Sequence, residues 1–398
     1  MGKALKPIRI TNATLKNKGK TITNYIHVFD ERLKKYFKSF HFYAEYDQDV
    51  SEVPLGILNI PALSSMIHFA WAVGADIEVE ELDETYFNGI KNAREIFSSN
   101  PAYKFLSFNS RLHVGKTVKN TFKKTGKTSL LFSGGIDSTA SQILRKPDQL
   151  IMIWGLDIPT EWEELWLKIK ENYSHLPLTF IKTNTLELHD LGKLYELGKP
   201  CSAGYYAGYS FSMITFGVCP PATIERVDNV MMASTYPIRQ YGNPNYPFQN
   251  YKPHLLVDNH LGWANIETFD VENDYNRPEK IERIIKPYFE ENGPSVLRVC
   301  GNLKHLKSRE DKNSLNCNQC DKCSEAIAIL CNYGIDPNTC GFTVNAETLK
   351  QIKEDIIVER FNVHRTRYFW GELKKHIDTK HDLHGSRVFL EWLRGYDI

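Results

Sequence analysis

The chain has no excess of either charge: 49 Lys and Arg stand against 48 Asp and Glu, a formal +1. Bulk attraction to nucleic acid or to an anionic membrane is therefore not expected, although a local basic groove is still allowed. No uninterrupted apolar stretch approaches the roughly 20 residues that a membrane-spanning helix needs. The N-terminus, Met1-Gly2-Lys3-Ala4-Leu5-Lys6-Pro7, lacks the apolar core of a secretory signal. Gly2 alone does not make a myristoylation site, because the position that wants a small hydroxyl holds Lys6. Internal repeats and low-complexity segments are missing too. These absences lead us to expect a cytoplasmic protein.

What is present belongs to a globular protein. At 398 residues, 42% apolar and 24% charged, the chain suits two domains with a helical appendage. Residues 1–120 read as an accessory α+β domain for substrate or partner binding. Strand-like alternation runs through 8–10, 21–28 and 41–44, and a helix starts at Pro61 with Leu63, Met66, Ile67, Ala70 and Trp71 on one face. That stripe is read as core. An acidic run from Glu78 to Glu84 precedes a helical stretch through Ile90 and Ile96. The basic stretch from Lys116 to Lys127 reads as the junction.

From there, continuous apolar runs at 130–132, 150–154, 178–181 and 230–234 alternate with helical segments, including an apolar one from Tyr205 to Val218. That pattern implies an α/β fold, with a parallel sheet covered by helices on both faces. Ligands of such sheets bind beyond the carboxyl ends of the strands, at a topological switch point. The informative residues are therefore 133–138, 155–157, 182–184 and 234–236. Residues 236–253 are rich in Tyr, Asn and Pro and read as a lid or binding loop. Residues 341–398 read as a helical extension carrying Leu349, Ile352, Ile356, Phe361, Phe369, Trp370, Phe389 and Trp392.

The most specific signal is Leu130-Leu131-Phe132-Ser133-Gly134-Gly135-Ile136-Asp137-Ser138-Thr139. A strand stops at two glycines and a helix begins, so backbone N–H groups and hydroxyls converge on one point suited to a phosphate. No Lys follows the glycines, which excludes the Walker loop. An ordinary small-residue turn is the weaker alternative, since six specified positions sit at a strand end.

The second signal is cysteine. Cys317, Cys320 and Cys323 have two-residue spacings, and sixteen residues lie between Cys300 and Cys317 at the end of a strand-like 296–299. Four thiolates without His favour a closed, structural tetrahedral Zn²⁺ site, with an iron–sulfur cluster as the rival. Lys307, Lys312 and Lys322 could offset part of the thiolate charge. Cys201, Cys219, Cys331 and Cys340 are read as packing residues.

The loop resembles the SGGxDS pyrophosphate loop of N-type ATP pyrophosphatases. Together with the later four-cysteine site it resembles the QueC-like family of 7-cyano-7-deazaguanine synthases, over residues 128 to about 335. The resemblance implies a fold of the HUP (adenine nucleotide alpha hydrolase-like) type over 121–340. It also implies ATP-dependent adenylation of a 7-deazaguanine carboxylate, then attack by an amine with release of AMP. Ser133, Gly134, Gly135, Asp137, Ser138 and Thr139 would hold ATP and Mg²⁺, and Cys300, Cys317, Cys320 and Cys323 would hold Zn²⁺ beside the substrate.

Trp154-Gly155-Leu156-Asp157 replaces the family's Tyr-Gly-Gln, and the N-terminal unit and tail are additions. These departures are similar to those of members recruited to anti-phage defence, one group of which conjugates a deazaguanine to a protein N-terminus. Amide, nitrile and protein conjugate all stay open as products. The implied partners are a 7-deazapurine small molecule and, for a protein acceptor, a protein such as a nucleotidyltransferase. A homodimer is the candidate assembly, and nucleic acid and membrane are not expected.

Adenylation needs positioning and charge neutralisation more than acid–base chemistry. Asp137, Ser138, Lys182 and Arg298 are the expected catalytic residues, and Asp157 is expected to bond a purine amine or ribose. Ser234, Tyr236, Arg239, His254 and Asp258, with His260 nearby, are expected on the substrate side. Two rivals remain: a tRNA-modifying, sulfur-delivering enzyme, disfavoured by the near-neutral charge, and a zinc-stabilised nucleotide sensor without catalysis.

Overall fold

The structure, a computed structural model, describes residues 4–156, 158–198, 205–240, 252–300, 315–361 and 363–397. The strands are β1 (Ile8–Ile10), β2 (Thr14–Lys16), β3 (Thr21–Val28), β4 (His41–Tyr46), β5 (Ile77–Asp83), β6 (Leu112–Val118), β7 (Thr128–Leu131), β8 (Gln149–Trp154), β9 (Leu178–Thr183), β10 (Asn229–Ala233) and β11 (Glu267–Val271). Among the described residues they form one mixed sheet in the order β11-β10-β7-β8-β9-β4-β3-β1-β5-β6, with β2 paired to β3. The protein is α/β.

The five strands β11-β10-β7-β8-β9 are all parallel. β8 shows why: five of its six residues are buried, as expected of a strand covered on both faces. β7 lies central, the chain steps outward through β8 and β9, then crosses back to β10 and β11. The order reverses between β7 and β10, and that reversal is a topological switch point. β11 was not legible as a strand, since Glu267-Thr-Phe-Asp-Val271 carries two acids.

The sheet continues past residue 120. β4 pairs antiparallel with β9, Glu45 opposite Lys182, and β3 and β1 extend the antiparallel run before β5 and β6 add in parallel. The acidic run forms β5, with Ile77 and Val79 inward and Asp83 capping the helix Glu84–Ser99 by accepting from Tyr86 N at 3.0 Å. The basic stretch begins inside edge strand β6, where exposed Lys116 and the paucity of large apolar residues discourage further pairing.

The helix Ile60–Val73 is buried on every side rather than along one stripe. It packs against Phe211–Gly217 so closely that a Cβ on Gly217 would lie 2.1 Å from Ser64. One apolar core therefore runs from Ile8 and Phe42 through Trp71 to Phe216 and Trp263.

A second core joins the helix Ile136–Arg145 to Asp321–Asn332 and to the tail helices Ala346–Ile357, Val363–Lys374 and Ser386–Gly395. Leu349, Ile352, Ile356, Trp370 and Phe389 are buried there. Among the described residues, no helix is long and apolar enough to cross a membrane. The segment 296–299, expected as a strand, is irregular and is held instead by Asn316 (below).

Candidate functional site

β7 delivers the glycine loop to the switch point. Gly134 adopts φ +77°, and a Cβ there would lie 2.2 Å from the Tyr173 hydroxyl, so only glycine fits. The Gly134 carbonyl accepts from Arg298 N at 2.7 Å, which pins the loop to the segment leading into Cys300. Ser138 Oγ lies 3.2 Å from Ser133 Oγ and 3.3 Å from Ser133 N, closing the loop on itself. The helix Ile136–Arg145 starts at Gly135 without a side-chain cap. Its first N–H groups and its dipole are thus free to meet an anion.

The loop opens on a cleft of about 230 Å³. The carboxyl ends of β7, β8 and β10 supply Leu131, Ile153 and Ala233, and Ser133, Gly135, Asp137 and Ser138 face it. Arg298, Cys300 and Lys322 close the side nearest the cysteines. Arg298 is only 6% exposed and donates to two carbonyls, Ser133 O at 3.4 Å and Cys300 O at 3.2 Å. Among the described residues no carboxylate pairs with it, so a buried cation faces the cleft without a carboxylate counter-charge.

Asp137 is situated differently. Its carboxylate accepts from Arg277 Nη2 at 2.9 Å, Lys280 Nζ at 2.9 Å and Thr235 Oγ1 at 3.2 Å. Burial opposes its charge, yet Arg277 and Lys280 hold its carboxyl well below the usual carboxylate range. Arg277 also donates to Glu325 at 2.7 Å and lies over Phe369 with Cζ 4.7 Å from the ring centre. Among the described cleft-lining residues Asp137 is the one carboxylate, and it is already paired. A direct Mg²⁺-ligand role for Asp137 does not fit this arrangement; it positions two cations instead.

Arg277 and Lys280 were missed from the sequence, whereas Thr235 lies in the strand end 234–236 that the sequence singled out, between the two residues expected to bind. Asn276-Arg-Pro-Glu279 is a legible helix start, and the structure makes it a capping box. Nothing local shows that its Arg reaches a carboxylate 140 residues away.

Several expected residues lie elsewhere. Lys182 sits 4.0 Å above the Trp154 ring and is not among the cleft residues. Arg239 is half-exposed and pairs with Glu279 at 2.6 Å. Tyr236 is buried against Tyr368 and Phe369 of the tail, and Ser234 Oγ donates to the Tyr236 carbonyl at 3.0 Å. Neither lines the cleft, whereas Thr235 between them does. Thr139 turns to the other side of the helix, towards Tyr173.

Asp258 is buried beside Asp270, and burial followed by that neighbour's charge pushes its carboxyl well up. It is not a cleft residue. His260 lies at Gly89, where a Cβ would meet its carbonyl. His254 falls in the helix Lys252–Asp258, but its side chain is outside the described residues. Asp157, Cys201, Lys307, Lys312 and residues 241–251 of the expected lid are also outside the described residues.

The four cysteines do come together. The sulfurs of Cys300, Cys317, Cys320 and Cys323 all lie within 4.8 Å of one another, with Cys317–Cys323 at 3.8 Å and Cys300–Cys320 at 4.0 Å. Tetrahedral Zn–S bonds of about 2.3 Å put sulfurs about 3.8 Å apart, so this set can hold a metal such as zinc. Hydrogen bonds from Cys317, Cys320 and Cys323 hold Cys300 towards the thiolate, whereas burial pushes the Cys323 thiol up.

Asn316 builds the cradle. Its Oδ1 accepts from Val299 N at 3.0 Å and Cys300 N at 3.3 Å, and its Nδ2 donates to Leu297 O at 2.7 Å and Gly341 O at 3.0 Å. Cys219, Cys331 and Cys340 are buried packing residues, as read. Comparison with known protein families, curated proteins and solved structures gives no match.

Proposed function

We propose that the chain is an ATP-dependent, AMP-forming ligase of the HUP type that adenylates the carboxylate of a 7-deazaguanine-like base and transfers the acyl group to an amine. One observation carries this reading. The uncapped helix start in the glycine loop and the buried Arg298, which has no carboxylate partner among the described residues, face one cleft at the switch point of the parallel sheet.

In this reading the N–H groups of Gly134 and of 136–138, together with Arg298, take the phosphates, while the Gly135 N–H donates to Ser133 Oγ at 3.3 Å. Lys322, on the same rim, adds a second cation. A carboxylate oxygen attacks the α-phosphorus, and the bond to pyrophosphate breaks. The amine then attacks the acyl carbon and AMP leaves with the bonding pair. Asp137 acts as a positioning residue that holds Arg277 and Lys280 beside the loop. The four-cysteine set is read as a structural Zn²⁺ site, because its sulfurs are too close for a cluster that interposes several iron and sulfide atoms. Zinc would brace Cys300 and the start of the helix Asp321–Asn332, and with them Arg298 and Lys322.

The test mixes the full chain, ATP and Mg²⁺ with 7-carboxy-7-deazaguanine and an amine, and measures pyrophosphate and AMP. Both should appear only with the acid, and Arg298→Met should weaken ATP-analogue binding by about tenfold or more, the loss of charge-assisted hydrogen bonds. Pyrophosphate absent with every acid, alongside intact ATP binding, would leave the nucleotide-sensor reading in its place. The paired Asp137 favours that second reading to the extent that no free carboxylate lines the described cleft.

A further inference from the structure

The tail helix Val363–Lys374 reaches the wall of the anion cleft through Arg277. Of the buried charges Asp137, Arg277, Lys280 and Glu325, only Asp137 and Arg277 line the cleft. A guanidinium carries five N–H groups. In Arg277, Nε and Nη2 donate to Asp137 at 3.1 and 2.9 Å, and Nη1 donates to Glu325 at 2.7 Å. One hydrogen on each terminal nitrogen is left over, on a side chain that is 12% exposed at the cleft.

Two tail residues fix where that guanidinium points. The Phe369 ring has Arg277 Cζ 4.7 Å from its centre, and the same ring stacks on Tyr236 at 5.8 Å. Tyr236 follows Thr235, which donates to Asp137 at 3.2 Å. One tail ring therefore touches the strand end and the helix start that converge on this carboxylate. Glu372, one turn on, accepts from Asn276 Nδ2 at 2.8 Å in a buried contact. Asn276 immediately precedes Arg277 and caps its helix, with Oδ1 accepting from Glu279 N at 2.9 Å. Glu372 thus holds the amide with its oxygen towards the helix, which sets the direction in which Arg277 leaves it. A different side of the tail helix anchors it, with Trp370 and Leu373 buried in the second core.

We propose that the tail is a working part of the anion cleft: Phe369 and Glu372 are positioning residues that aim the two remaining N–H groups of Arg277 at the pyrophosphate part of a nucleoside triphosphate. The proposal rests on the anion-binding part of the reading above and is indifferent to whether adenylation follows. It gives the helical extension a task beyond packing, and it adds Arg277 to the cations that meet the ligand.

Calorimetry on the full chain, titrated with inorganic pyrophosphate and separately with a non-hydrolysable ATP analogue, tests it. Phe369→Leu keeps apolar bulk and removes the ring face. Glu372→Ala removes the acceptor, and Glu372→Gln restores an acceptor oxygen without the charge. Trp370→Phe, on the same helix, controls for lost packing and should lower the melting temperature. Phe369→Leu and Glu372→Ala should each weaken binding of both probes about fivefold or more, through the lost cation–π contact and the lost charged hydrogen bond. Glu372→Gln and Trp370→Phe should stay within about twofold of the parent.

Parent affinity in folded Phe369→Leu or Glu372→Ala, an equal loss in Trp370→Phe, or no pyrophosphate binding by the parent chain overturns the proposal. Pyrophosphate release from ATP separates the two ideas. If the parent releases it while the variants bind like the parent, only the tail assignment falls. If the variants lose pyrophosphate binding but the parent never releases it from ATP with the acid, only the ligase reading falls.

Discussion

Asp137 offers the sharpest single perturbation. Its carboxylate lies between Arg277 and Lys280, and all three side chains are at most 15% exposed. Removing one member of a buried ion pair strands the others, typically at about 3–5 kcal/mol. Arg277 keeps Glu325, so mainly Lys280 is stranded, with the Ser234 carbonyl as its remaining acceptor. Asp137→Asn should therefore cost about 3 kcal/mol, the low end of that range.

Lys280→Met in the same chain should return part of that loss, with a coupling of about 1–2 kcal/mol. The pH dependence follows from the lowered carboxyl. The folded value lies below the unfolded one of about 3.9, so the contribution is complete above about pH 4 and is lost as pH falls below that. Urea unfolding at pH 7 and pH 3 should show the gap between parent and variant narrowing in acid. A variant within about 0.5 kcal/mol of the parent at pH 7, or a gap indifferent to pH, would refute the reasoning.

Gly134→Ala should destabilise more than Gly126→Ala in thermal melts: both have positive φ, but only at Gly134 does the new Cβ strike a neighbour. Equal losses, each about the 1–2 kcal/mol of backbone strain alone, would mean that Tyr173 yields freely. Metal analysis should find one zinc per chain, and chelation should lower the melting temperature and expose Cys300, Cys317, Cys320 and Cys323 to thiol reagents; iron with visible absorbance would contradict this. His189 is buried neutral with its value lowered to about 4, so its contribution is complete above the unfolded value of about 6.5 and is lost as pH falls towards 4. That change amounts to about 3 kcal/mol, and His189→Leu should flatten the parent's stability profile across that window.

Features that depend on neighbours along the chain could be read from the order of residues. The run ending at Phe132 and the glycine pair place a strand end and a helix start, because periodicity and positive φ are local properties. Spacing likewise determined that Cys317, Cys320 and Cys323 share one turn region. The helical tail was legible from Leu349, Ile352 and Ile356, whereas β11 and β5 were not, because their acids hide the apolar alternation.

Which distant residues meet follows from the folded arrangement. It joins β4 to β9, so the sheet and its core run across the residue 120 boundary. It sets Arg277 and Lys280 on Asp137, turning an expected metal ligand into an anchor for two cations. Lys182 goes to Trp154, Arg239 to Glu279 and Tyr236 to the tail, and none of the three lines the cleft. And it brings His68 of one half beside His189 of the other. Pairings across more than a hundred residues are fixed by sheet order and core packing, which no local pattern encodes.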